Sequence, residues 1–208
     1  SISKRPWSRK QYYLTRRGKN VEISVKQVES YKTPVYISDK ATIKPKALHE
    51  INQNTEKALS AWGVAPEWKP AIVIVSDDEL AGALGIYDPC ENIVYYTESV
   101  GRKAVQEAAG GAGAIEAHEM WHMNQAEDFR QAGWTITQNN RGKYLDALCE
   151  KCKKRIDKLG ITRDNVGEIS DYAKRIYHDR RYDEVEAEYK SLREKGLWAL
   201  CILWMLMK

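Results

Sequence analysis

The first hundred residues carry hydrophobic patterns that are typical of β-strands. Val21–Val28 alternates apolar with polar residues and predicts a half-buried strand, and Pro34–Ser38 predicts a second, short one. Ala71–Val75 is a continuous apolar run rich in β-branched residues, which predicts a strand buried on both faces. Leu84–Tyr87 and Asn92–Thr97, separated by a turn, predict a strand pair or a bent edge strand.

Between and after these strands, apolar residues recur at the spacing of an α-helix. Pro45 stands at a first helical position, and an apolar stripe predicts a helix from there to Gly63. The glycines clustered at 110–113 predict either an interruption of the helix or a very close approach to neighbouring backbone, because glycine favours conformations that break a helix and carries no side chain. A second helix is predicted to follow them and to end near Gly133.

The hydrophobic pattern predicts helices throughout the second half of the chain. Apolar stripes over residues 144–159 and 166–176 predict two helices, and a third is predicted at about 181–195. Leu197–Met207 is an apolar run of eleven residues, too short to span a bilayer in the usual way, and it predicts a buried helix.

This order of elements predicts an α+β fold, with a small sheet on one side of the helix that ends near Gly133 and a helical C-terminal part. A length of 208 residues suits one domain plus an extension. We expect a basic N-terminal extension with short strands at 1–40 and one domain at 41–208. With 43% hydrophobic and 30% charged residues, the composition favours a globular chain over a disordered one.

The net charge of +4 is concentrated at the N-terminus. Two interpretations stay open: an arm that contacts nucleic acid or an acidic surface, or a solvated terminus. No apolar stretch follows the basic start, so a signal peptide is not predicted, which favours the cytoplasm or a larger assembly over secretion. The basic residues that precede the first acidic one, Glu22, are Lys4, Arg5, Arg9, Lys10, Arg16, Arg17 and Lys19.

The strongest chemical signal is the His-Glu-x-x-His motif at 118–122. Residues four apart lie on one face of a helix, so His118 and His122 can direct two imidazoles at one metal ion. Glu119 would lie beside the metal, where its carboxylate could take a proton from a metal-bound water. The motif therefore predicts a catalytic metal site.

A catalytic zinc usually has three protein ligands, and the sequence offers two candidates for the third. Asp128 stands at the last position of an extended motif, but that pattern turns the chain at a glycine, and Gln125 is found there. Glu184 and Glu188 are four apart on a later helix, so one carboxylate could bind the metal while the other accepts a hydrogen bond from a ligand histidine.

The motif at 118–122 together with Glu184-Val-Glu-Ala-Glu188 resembles the gluzincin type of zincin metallopeptidase. The resemblance implies one Zn²⁺ held by His118, His122 and Glu184, with Glu188 supporting a ligand histidine. It also implies a zincin-like fold in which an edge strand packs on the motif helix. The segment at 85–96 looks like that edge strand, against which a peptide substrate would lie in extended conformation.

The implied activity is hydrolysis of peptide bonds by a metal-activated water with Glu119 as general base. Tyr177, His178 and Tyr182 are candidates to donate a hydrogen bond to the developing oxyanion. One alternative is a structural or binding protein of a larger, possibly phage-type, assembly that retains a zincin domain. Another is a zinc hydrolase that acts on a non-peptide amide.

The four cysteines do not suggest a disulfide framework in a chain of this length. Cys149 and Cys152 have the spacing of a metal or redox pair, but no second pair completes a four-thiolate site. Cys152 also falls on the apolar stripe of its helix, which favours a thiol packed in or near the core.

Overall fold

The structure is a computed structural model that describes residues 10–16, 19–31, 33–64 and 68–194. The predicted helix at 197–207 lies outside these ranges, as do four of the basic residues before Glu22: Lys4, Arg5, Arg9 and Arg17. The fold is α+β, as predicted, and the chain divides into two compact units, residues 1–116 and 117–208. Within the described ranges no helix is long and apolar enough to cross a membrane.

The first unit contains a mixed sheet, whose six described strands are β1 (Lys10–Arg16), β2 (Lys19–Val28), β3 (Val35–Ser38), β4 (Ala71–Val75), β5 (Gly85–Asp88) and β6 (Ile93–Thr97). Their order is β1-β2-β3-β4-β6-β5. The β3–β4 and β4–β6 pairs are parallel, and the other pairs are antiparallel. The short strand β5 therefore stands at one edge.

Five of these strands were predicted from the hydrophobic pattern, and β1 was not. Its residues fall in the basic N-terminal segment, for which an arm and a solvated terminus both stayed open, yet they pair with β2 from Lys10 to Arg16. β3 pairs with β4, so strands from both sides of residue 40 belong to one sheet. Backbone hydrogen bonds between strands distant in sequence create this continuity, and side-chain alternation does not reveal them.

The sheet is covered on both faces, as the continuous apolar run in β4 predicted. Helix α1 (Pro45–Ala61) connects β3 to β4, and its buried stripe is Leu48, Ile51, Thr55, Ala58 and Leu59. Thr55 places its hydroxyl 3.0 Å from the Tyr96 hydroxyl on the sheet. The opposite face holds a cluster that includes Ile23, Val73 and Tyr95.

Glycines separate the next two helices, α2 (Lys103–Ala108) and α3 (Ala114–Gln131). Gly110, Gly111 and Gly113 have φ angles of 106°, 116° and 77°, a region that side chains with a Cβ rarely adopt. The predicted interruption is thus confirmed. Helix α3 carries the His-Glu-x-x-His motif and ends just before Gly133, whose φ is 88°.

The second unit contains three further helices, α4 (Arg141–Lys158), α5 (Asp171–His178) and α6 (Tyr182–Tyr189), and α6 continues as a π-helical turn at Lys190–Glu194. Ile156, Ala173 and Val185 join the three helices in one apolar cluster. The stripe at 166–176, predicted as one helix, is divided because Ser170 caps a new helix. Leu159, assigned to the stripe of α4, is 47% exposed.

Candidate metal centre

The two motif histidines lie one turn apart on α3 and face the same way. Their ring centroids are 5.0 Å apart, and the two Nε2 atoms approach to 3.2 Å. Two neutral imidazoles have no reason to bring their Nε2 lone pairs together unless a cation or a proton lies between them. The pair therefore has the arrangement expected of two ligands to one metal ion.

Glu184 on α6 brings a carboxylate oxygen to both imidazoles. Its Oε2 lies 3.0 Å from His118 Nε2 and 3.3 Å from His122 Nε2. These three side chains can offer ligand atoms that all lie within 4.8 Å of one another. Among the histidine, cysteine and acidic side chains of the described residues, these three form a group that could hold a metal ion.

The Nδ1 atoms of both histidines point away from this cluster and have partners of their own. His118 Nδ1 lies 3.1 Å from Glu188 Oε2, and His122 Nδ1 lies 2.8 Å from Gln125 Oε1. A carboxylate and an amide oxygen can only accept, so each Nδ1 carries the hydrogen. Both Nε2 lone pairs are then directed at the shared point.

Glu188 is held in turn by the N-terminus of α5. Ser170 donates its hydroxyl to Glu188 Oε1 at 2.8 Å and accepts a hydrogen bond from the Ala173 N–H. The same serine therefore caps α5 and fixes the carboxylate that supports His118.

Arg181 orients the ligand carboxylate from the other side. Its Nη2 donates to Glu184 Oε1 at 3.0 Å, and its Nε and Nη2 form a bidentate pair with Asp183 at 3.0 and 2.8 Å. Burial would raise the pKa of Asp183, but this guanidinium holds it below its usual value. Glu184 thus has Oε1 turned to Arg181 and Oε2 turned to both histidines.

The charges at the centre are strongly coupled. Burial alone would lower the pKa of His118, but hydrogen bonds to Glu184 and Glu188 and the charge of Glu119 raise it to about 10. The pKa of His122 is also raised, because Glu184 outweighs the effect of burial. Burial would raise the pKa of Glu184, yet the two histidines hold it well below its usual range. This negative pocket is built to receive positive charge.

Glu119 follows the first histidine and is only 7% exposed. Its negative charge raises the pKa values of His118, His122 and Tyr172, so its carboxylate lies within electrostatic range of all three. A buried carboxylate in that position can exchange a proton with a group bound at the centre.

Tyr172 on α5 also lies at the centre, and the sequence analysis did not select it. Its hydroxyl donates to Glu184 Oε2 at 3.1 Å, and its ring centroid is 6.2 Å from that of His118. Burial and the nearby carboxylates of Glu184 and Glu119 raise the pKa of the phenol, so it stays a hydrogen-bond donor. The residue as a whole is 36% exposed, so it is accessible from solvent.

The three residues predicted as oxyanion donors lie elsewhere. Tyr177 and Tyr182 pack edge to face, with centroids 5.3 Å apart, against the apolar cluster of α4, α5 and α6. The side chain of His178 is 79% exposed and faces Asp179. The Tyr172 hydroxyl, by contrast, donates a hydrogen bond to Glu184 of the ligand set.

Asp128, the alternative third ligand, is turned toward α4. It pairs with Arg155, and Lys151 Nζ lies 3.5 Å from the same carboxylate. The helix continues through Gln125 without a turn and carries Asp128 past the histidines. Asp128 is accordingly absent from the group that could hold a metal ion.

Every side chain of the candidate centre belongs to the second compact unit, residues 117–208. Its function can therefore be inferred from the donor set and the groups that hold it. Comparison of the chain with models of protein families, with curated proteins and with solved structures finds no match.

Proposed function

We propose that this protein is a zinc-dependent peptidase of the zincin type, which hydrolyses peptide bonds in an extended peptide or protein substrate. The observation that carries the proposal is the convergence of His118, His122 and Glu184, with the nearest ligand atoms 3.0–3.3 Å apart. Glu119 beside them supplies a carboxylate for proton transfer. Two histidines and one glutamate form a ligand set found in catalytic zinc sites.

The spacing of the donor atoms supports zinc. Zinc–nitrogen and zinc–oxygen bonds of about 2.0–2.1 Å in a tetrahedron put neighbouring ligand atoms about 3.3 Å apart. The separations of 3.0, 3.2 and 3.3 Å among the two Nε2 atoms and Glu184 Oε2 are close to that value. Three protein ligands leave the fourth position for water or substrate, as a catalytic site needs.

The chemistry divides between the metal and the chain. Bound zinc would polarise the scissile carbonyl and lower the pKa of a water molecule. Glu119 would accept a proton from the attacking water and pass it to the nitrogen of the departing amine.

We assign the oxyanion donor to Tyr172 in place of Tyr177, His178 and Tyr182. The Tyr172 hydroxyl is already directed at the ligand set, through its hydrogen bond to Glu184 Oε2. A modest rotation of an accessible side chain lets the same hydroxyl donate to a substrate oxygen bound beside the ligands. Such a donor stabilises the negative charge that develops in the transition state.

The test is Glu119→Gln in the zinc-loaded full chain. We expect it to retain stoichiometric zinc and to lower cleavage of a denatured protein by about 100-fold or more, the range for loss of a general base. Glu127→Gln, on the same helix but paired with Arg130, is the matched control and should retain activity.

A wild-type protein that binds zinc but cleaves nothing across a broad peptide library would overturn the peptidase proposal. Activity on amides that are not peptides would then favour the non-peptide hydrolase. Inactivity on both would favour a structural or binding protein that retains the domain.

A further inference from the structure

A buried chain of polar groups extends from His122 to the side of α6 that faces away from Glu184 and Glu188. Gln125, one turn beyond His122 on α3, is fully buried, and so is Glu186, at 2% exposure. The amide nitrogen of Gln125 donates to Glu186 Oε2 at 2.8 Å and to the Asp183 carbonyl at 3.0 Å. Neither Gln125 nor Glu186 has a part in the mechanism described above.

We infer that Gln125 is a positioning residue, which fixes the hydrogen of His122 on Nδ1 and thereby directs its Nε2 at the metal. The inference rests on the metal site of the proposed function. It also assigns Glu186 to hold the Gln125 side chain. The three glutamates of α6 then have different roles. Glu184 binds the metal, Glu188 accepts a hydrogen bond from His118, and Glu186 supports His122 through the Gln125 amide.

The orientation of the amide follows from its neighbours. A backbone carbonyl can only accept a hydrogen bond, so the end of the Gln125 side chain next to Asp183 must be the –NH₂ group. The amide oxygen is then the atom 2.8 Å from His122 Nδ1, and because that oxygen can only accept, Nδ1 must donate. One backbone carbonyl thus determines the tautomer of a ligand two hydrogen bonds away.

Glu186 is itself held by donors from two helices. The Trp121 indole N–H donates to Glu186 Oε2 at 3.1 Å, and the Cys152 thiol donates at 3.2 Å. Arg155 Nη1 lies 3.6 Å from the same oxygen. These contacts prevent the carboxylate from rotating away, so the Gln125 amide keeps its partner and its orientation.

Gln125 also explains the departure from the extended motif. The position that would hold a glycine, to turn the chain toward a nearby third ligand, here holds a side chain that needs a continuous helix. Residues three apart on a helix are neighbours, so His122 and Gln125 can meet only because α3 does not turn between them.

The test compares zinc affinity and ligand chemistry in three full-length proteins: wild type, Gln125→Met and Gln106→Met. Methionine keeps the volume and removes the amide. Gln106 is a matched control because it is also buried and donates its amide to a backbone carbonyl, that of Val100, at 3.0 Å. Zinc dissociation constants are measured by competition with a chromophoric chelator, and ¹⁵N NMR of labelled histidine identifies the metal-bound nitrogen.

We expect Gln125→Met to weaken zinc binding by about 10–100-fold, as loss of a group behind a ligand does, and Gln106→Met to leave it unchanged. In the wild type, His122 should bind through Nε2 and keep an exchange-protected Nδ1 proton, which Gln125→Met should lose. The wild-type spectrum keeps the inference testable if the variant does not fold.

Equal affinity in wild type and Gln125→Met, or binding of the wild-type metal through Nδ1 of His122, overturns the inference and leaves the peptidase proposal intact. A wild type that binds no zinc overturns the proposed function itself. Zinc binding without peptidase activity overturns only the peptidase step.

Discussion

The guanidinium of Arg181 donates to Glu184 Oε1 at 3.0 Å, on the carboxylate oxygen opposite the one that faces both histidines. A free glutamate can offer a metal either oxygen or both. With Oε1 engaged, Glu184 presents Oε2 alone, and its side chain is restrained before any metal arrives. Such restraint lowers the entropy cost of binding.

Replacing Arg181 with Met should therefore weaken zinc binding by about 10-fold or more, because Glu184 loses its restraint. Arg181→Lys should fall between Met and wild type, since an ammonium cannot make the same fork of hydrogen bonds. Arg180→Met, at the exposed neighbouring position, is the control. Competition with a chromophoric chelator measures the zinc dissociation constant of each variant. Equal dissociation constants for Arg181→Met and Arg180→Met would contradict the role given to Arg181.

Glu184→Ala should lower bound zinc well below one equivalent, whereas Asp128→Ala should leave it at one. Glu184 supplies the third ligand atom, and Asp128 is engaged with Arg155 and Lys151. Metal content after gel filtration, measured by atomic emission, separates the two carboxylates. Loss of zinc from Asp128→Ala together with its retention in Glu184→Ala would refute the ligand set.

Tyr172→Phe should lower kcat by about 10²–10³-fold, the usual loss for an oxyanion donor, with stoichiometric zinc retained. Tyr177→Phe should have little effect, because that ring packs against Tyr182 away from the ligand set. The pair separates the donor that the sequence suggested from the one that the geometry favours. Steady-state kinetics on one peptide substrate measures kcat for both variants. A larger loss of kcat in Tyr177→Phe than in Tyr172→Phe would reverse the assignment.

Helical periodicity was sufficient to select the groups on the motif helix and on α6. His118 and His122, and likewise Glu184 and Glu188, are four residues apart, so a helix alone puts each pair on one face. Their meeting required only that the two helices pack together. The sequence therefore predicted the four side chains that the structure brings into one cluster.

Residues whose roles depend on a turn or on packing between helices could not be found in this way. Tyr172 lies within the apolar stripe at 166–176, whose spacing predicts a buried core position. Its direction toward Glu184 depends on α5 starting after Ser170. Arg181 precedes α6, where no periodicity applies. Gln125 was noticed only as the absence of a glycine, since its partners Asp183 and Glu186 lie about sixty residues away.

Ser170→Ala should lower both stability and zinc affinity. The hydroxyl caps α5, and losing an N-cap costs about 1 kcal/mol. The same hydroxyl holds the carboxylate of Glu188 behind His118, so zinc should bind more weakly as well. Ser191→Ala is the matched control, because that buried hydroxyl donates to the backbone carbonyl of Glu188. Denaturant melts and chelator competition together should show a loss of affinity for Ser170→Ala alone.

Cys149 should react slowly with iodoacetamide, in contrast to an ordinary thiol. Burial and the carboxylate of Asp183, 3.3 Å from its sulfur, raise the pKa of Cys149 from 9.0 to about 11. The thiolate is the reactive form, so at pH 8 the rate should be about 100-fold below that of an unperturbed cysteine. The alkylation rate should then rise about tenfold per pH unit until pH 11.

Cys152, fully buried with its pKa raised further by burial and Glu186, should stay unmodified in the folded protein. Mass spectrometry of the digested protein measures both sites at once, with alkylation in guanidinium as the reference. Rapid modification of Cys149 at pH 7 would show that Asp183 does not suppress its ionisation.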